Sequence, residues 1–293
     1  YPYITHSVRC QYPAPDWDRA FAYTLGREAS NPRPIGMAHI HNLFTAHADG
    51  FITYTDGAHD DVNKAIWSAM GWDLSQDPQT VLMEYARLFF GPDVAEDGTE
   101  GILALERNWT GPLADNAGVE DAAALWADLE ARAPQLAENW RWQLCLLRAT
   151  CDQYLRQKLL YESGLEREAL RLIKEAVSTG ALPAITAAEA VLQQAISNPV
   201  RPDLRARITS LCQALFASIG LQTSTTSPYL ASGLERGCIL DLIDWPLNDR
   251  LWMANVFTEA RAKTTEGARL HVLESKLLRS EEHTSELQSP NTI

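Results

Sequence analysis

Asp49 to Trp67 reads DGFITYTDGAHDDVNKAIW, and its interpretation decides the fold expected for the chain. Gly50-Phe51-Ile52-Thr53-Tyr54-Thr55 is rich in aromatic and β-branched residues and reads as a short strand. Asp56-Gly57 closes it as a turn pair. A helix follows at once. Val62, Ala65, Ile66, Ala69 and Met70 recur at the spacing of one helical face, and Asp60 or Asp61 is placed to cap its start. A strand passing through a turn into an amphipathic helix is the repeating unit of parallel sheets and barrels.

The flanking sequence extends the pattern. Upstream, Tyr1 to Val8 reads as a strand entering a loop. Residues 34–46 read as a helix opened by Pro34, with Met37, Ile40, His41 and Phe44 on one face. Downstream, residues 78–90 read as a helix striped by Val81, Leu82, Tyr85, Leu88 and Phe89 and stopped by Gly91-Pro92. Two strands do not make a stable sheet. The expectation is therefore the truncated end of a (β/α)8-type barrel over residues 1–92, with its remaining strands upstream of Tyr1 or supplied by another chain.

Beyond Pro92 the pattern becomes helical, so the fold class expected is α/β followed by all-α, with a helical domain over 93–278. Helices are predicted over 95–108 and 119–132, and a long one from Pro134. Along the long helix Leu136, Trp140, Leu144, Leu147, Cys151 and Tyr154 step by four and three like a coiled-coil seam. It either runs on to about Val177 past Gly164 or breaks there. Further helices fit 184–197, 203–219 and 248–262, and the Ser-, Thr- and Gly-rich residues 220–235 read as a loop. Trp109, Trp126, Trp140, Trp142, Trp245 and Trp252 are expected to pack in the core or between domains. Residues 279–289, RSEEHTSELQS, resemble a translated sequencing adapter. Residues 279–293 are expected to be a non-native tail and take no part in the fold reasoning.

Composition narrows the function classes. A net charge of −13 argues against a nucleic-acid or anionic-membrane surface. No apolar run approaches the roughly 18 residues of a membrane span. Five cysteines, with no Cys-x-x-Cys, do not make a disulfide framework and read as small buried hydrophobes. His39 and His41 diverge on a helix, and His59 with Asp60 and Asp61 is too local to close a metal site, so neither metal nor cofactor is expected. Nucleotide-binding and serine-hydrolase motifs are absent. Asn108-Trp109-Thr110 fits a glycosylation acceptor triplet.

Polar residues gather where the presumed strands end, the place where parallel α/β folds build their sites. After the 50–55 run stand Tyr54, Asp56, His59, Asp60 and Asn63. After the first run stand His6, Arg9 and Trp17, the last flanked by aspartates. Carboxylates and amides grip sugar hydroxyls, and an indole stacks on a sugar face. The predicted ligand is a polar, hydroxyl-rich molecule. The plainer reading is that Asp56-Gly57 only turns the chain, Asp60 only caps a helix and Trp17 only fills a core. Asp241 to Arg250, DLIDWPLNDR, is polar, and the sequence assigns it no role.

GFITYTDG at 50–57, IWSAMGWD at 66–73 and EYARLFFGP at 84–92 together resemble the last strands of bacterial barrel glycoside hydrolases of the hexosaminidase and α-glucuronidase kind. The likeness covers about a third of the chain. It implies a carbohydrate substrate, a helical domain after the barrel, and catalytic carboxylates on a middle strand with no counterpart in this sequence. No catalytic residue is therefore assigned; His6, Arg9, Trp17, Tyr54, Asp56, His59, Asp60 and Asn63 are the candidate substrate-binding set. A non-catalytic helical carbohydrate-binding or interaction protein is the alternative reading.

Overall fold

A computed structural model describes residues 18–25, 30–53, 57–232 and 238–278. Among them there is no β-strand. The elements are α1 (Arg19–Thr24), α2 (Pro34–Thr45), α3 (Asp61–Trp72), α4 (Pro78–Phe89), α5 (Ala95–Arg107), α6 (Gly118–Arg132), α7 (Trp140–Lys174), α8 (Ala176–Thr179), α9 (Ala181–Ser197), α10 (Pro202–Ile219), α11 (Ile239–Leu242), α12 (Arg250–Arg261) and α13 (Glu266–Leu273). The barrel end is thus overturned in favour of an all-helical fold. The physical reason lies at Phe51 to Thr53. These residues run between α2 and α3 with no strand beside them among the described residues, and without a ladder partner a β-rich run has nothing to pair its backbone with. The predicted strand at Tyr1 to Val8 lies outside the described residues.

The chain divides into two compact units, one of residues 1–156 and 203–245, the other of 157–202 and 246–293. In the first, α2 packs on α3, α3 on α4, α4 on α5 and α5 on α6. Ile66, Met70, Leu82, Ile102, Leu105, Trp126 and Trp142 are fully buried there. The Trp126 and Trp142 rings meet edge to face with centroids 5.1 Å apart. Trp126 Nε1 donates to the Gly101 carbonyl at 3.1 Å. A Cβ at Gly101 would stand 2.9 Å from that indole, so glycine is what lets α5 and α6 approach.

The start of α7 is set by Asn139, whose Oδ1 accepts from the amides of Arg141 at 3.0 Å and Trp142 at 3.3 Å. Residues 142–149 are buried on every face, so the seam predicted there was too narrow. A helix surrounded on all sides must bury its polar residues too, and it pairs them. The Arg148 guanidinium pairs with Asp152, its Nε 3.0 Å from Oδ2, while Asn108 Nδ2 donates to the same carboxylate at 2.9 Å. Arg148 also lies 3.9 Å over the Trp109 ring.

In the second unit α9, α12 and α13 pack around Ala184, Ile185, Ala188, Val256, Phe257, Ala260 and Leu273. Alanines on α9 keep these contacts close. The polar 241–250 motif has a structural use here. Glu162 Oε2 accepts from Leu247 N at 2.6 Å and pairs with Arg250, while Glu166 accepts from Asp249 N at 2.9 Å. Two glutamates one helical turn apart thus hold the turn that leads into α12.

Candidate functional site

The polar segment singled out in the sequence folds as a tight turn. Gly57 sits at φ 140°, a conformation that favours glycine, and a single 3-10 turn over Ala58–Asp60 delivers the chain into α3. Lys64 Nζ returns to donate to the Gly57 carbonyl at 3.0 Å. Asp60 occupies the cap position of α3, but its carboxylate makes no capping hydrogen bond. His59, Asp60 and Asn63 are all buried.

Asn63 binds the chain preceding α2. Its Oδ1 accepts from Arg33 N at 2.8 Å and its Nδ2 donates to the Asn31 carbonyl at 3.0 Å. Ser30 Oγ reaches the His59 carbonyl at 3.5 Å. The turn is therefore closed over by residues 30–33. His59, Asp60 and Asn63 of the candidate set lie buried inside the fold. His6, Arg9, Trp17, Tyr54 and Asp56 lie outside the described residues.

The neighbouring Asp61, read in the sequence as a possible cap and left out of the candidate substrate-binding set, ties three helices together. It accepts from Tyr85 Oη of α4 at 2.9 Å and from Arg141 Nε of α7 at 2.6 Å. Arg141 in turn lies 3.7 Å over the Phe89 ring. Burial first, then the Asp61 charge, pushes the Tyr85 hydroxyl above its ordinary value and keeps it a donor. Nothing in the local sequence marks this trio; its members are 24 and 80 residues apart.

The second feature is α2 itself. Its start has no cap from its own N-cap residue, Arg33. Glu106 of α5 supplies one, Oε2 accepting from Ile35 N at 2.9 Å and Oε1 from Gly36 N at 2.8 Å. Burial holds the Glu106 carboxyl above the usual carboxylate range despite those two donors. Met37, Ala38 and His41 face inward. Ile40 and Phe44, expected to be covered on that face, are exposed, as is Leu43. The sequence PIGMAHIHNLFT carries no Asp, Glu, Lys or Arg; its exposed residues are apolar Ile35, Ile40, Leu43 and Phe44 together with polar His39 and Asn42.

Aromatic contacts continue past α2. The His41 ring lies 5.7 Å from Phe51 and 5.0 Å from Trp67, and Phe51 lies 6.0 Å from Trp67. Phe51 rests on bare backbone at Gly71, where a Cβ would meet it at 2.1 Å. Ile52 and Trp72, which follow Phe51 and Gly71 in the chain, are 72% and 93% exposed. Phe44 is one turn from His41 on α2 and 61% exposed.

Other sequence candidates resolve plainly. Asn108 is buried and bonded to Asp152, so the folded chain does not present its triplet for glycosylation. Asp18 caps α1 through Ala20 N at 2.8 Å and also accepts from Leu113 N at 2.9 Å. Cys145, Cys151, Cys212 and Cys238 are buried, and burial pushes Cys212 up to about 11. Trp109, Trp126 and Trp142 are core residues, whereas Trp245 and Trp252 are exposed, against expectation. Arg107, Thr110, Pro112, Asp115 and Asn116 line a shallow open recess. Asn116 Nδ2 is directed at the Arg107 and Asn108 carbonyls, at 3.1 and 3.2 Å, not at that recess. Among the described residues no helix is long and apolar enough to cross a membrane, and no three His, Cys, Asp or Glu residues stand together as metal ligands.

Fold and site together define an all-helical protein whose polar turn is buried and whose uncharged second helix leaves apolar side chains exposed. No family model, no curated protein and no solved structure matches the chain.

Proposed function

We propose that this chain is a helical interaction module, whose working surface is the exposed apolar part of α2 with Phe51 beside it. One observation carries the reading. Ile35, Leu43 and Phe44 of α2 are each at least half exposed, and Phe51, 44% exposed, lies against His41 of the same helix, in a chain that is 22% charged. Exposed apolar surface of this kind marks docking sites in soluble proteins. The test is binding of an apolar fluorescent dye such as ANS to the folded chain. Wild type is expected to bind it and Phe44→Glu to lose most of the signal at unchanged helix content. Equal dye binding by the two proteins would remove the reading.

A second reading rests on a different observation. The three segments GFITYTDG, IWSAMGWD and EYARLFFGP resemble glycoside hydrolase sequence, and Tyr54 and Asp56 end the first. On this reading the chain is part of a carbohydrate-active enzyme and contributes side chains to sugar recognition. It predicts that a longer product of the same reading frame binds or cleaves members of a broad glycoside panel. Asp56→Ala would weaken that binding, whereas a product inert across the panel would remove this reading.

A further inference from the structure

We draw no further inference here: the strongest candidate, the exposed surface patch of Phe51 and Ile52 between α2 and α3, carries none because nothing in the structure shows what covers it.

Discussion

α2 and α3 are both twelve residues long and pack against each other, yet they solve opposite problems. α3 is amphipathic in the ordinary sense: Val62, Ile66, Trp67 and Met70 go inward, and Asp61, Asn63 and Lys64 are hydrogen-bonded. α2 carries no charged residue and leaves apolar Ile35, Ile40, Leu43 and Phe44 exposed. The difference teaches that apolar spacing tells which residues can share a face, while charge on the opposite face tells whether the helix has only one face to bury. α3 has Asp61 and Lys64 to mark its polar side. α2 has no such marker, so the sequence could not say whether Ile40 and Phe44 belonged with Met37 or against it.

The sharpest way to break this contrast is to truncate inward residues of α3 and exposed residues of α2. Ile66→Ala should cost about 2–5 kcal/mol of stability, because a fully buried side chain leaves a cavity. Phe44→Ala should stay within about 0.5 kcal/mol, as exposed substitutions do. Chemical denaturation of both variants checks the difference. Similar losses at the two positions would mean that both sides of α2 are internal.

The next effect belongs to the turn that joins the helices. Asn63→Ala removes the partners of Arg33 N and Asn31 O inside the protein and should cost about 2–4 kcal/mol. Amide exchange at Arg33 should rise in the same variant. Asp61→Ala breaks the link from α3 to Tyr85 and Arg141 and should cost about 1–3 kcal/mol, since the trio is partly exposed. Urea unfolding of this variant tests whether the bonded polar side of α3 is as structural as its apolar side.

The smallest effect is the pH dependence of the α2 cap. Glu106 has its folded-state pKa raised above the ordinary 4.5 by burial. A folded state that binds a proton more tightly than the unfolded one is favoured at low pH. The Glu106 contribution is therefore greatest below pH 4.5 and declines as pH rises through the folded pKa. Glu106→Gln does not titrate. The melting temperature of wild type relative to this variant should be higher on the acid side of that window than at neutral pH. A difference that grows toward neutral pH would mean that the two amide donors outweigh burial.

Much of the helical order was legible. Pro78, Gly91-Pro92 and the proline pair at 199 and 202 punctuate the chain, and the predicted helices at 78–90, 95–108, 119–132, 184–197 and 203–219 agree with α4, α5, α6, α9 and α10 to within a few residues. Helix pattern is local and survives without knowledge of neighbours. The β-rich run at 50–55 did not, because a strand is defined by what lies beside it. Among its described residues, Phe51 instead packs on Trp67 and Gly71. α13 escaped notice because it is only eight residues long, although Thr265, which accepts from Ala268 N at 3.3 Å, is a readable cap. The polar turn was legible as a cluster but not as a buried one. Residues 30–33 close over it from about thirty positions away, and no local pattern announces that contact.

The central claim is that the exposed apolar side chains of α2, Phe44 foremost, lie outside this fold's own core. Thermal unfolding of Phe44→Glu, followed by far-ultraviolet circular dichroism at low protein concentration, tests it most directly. The account predicts a cooperative transition within a few degrees of wild type and an unchanged helical spectrum. Loss of the transition would contradict it, because a charge at residue 44 would then stand inside the protein.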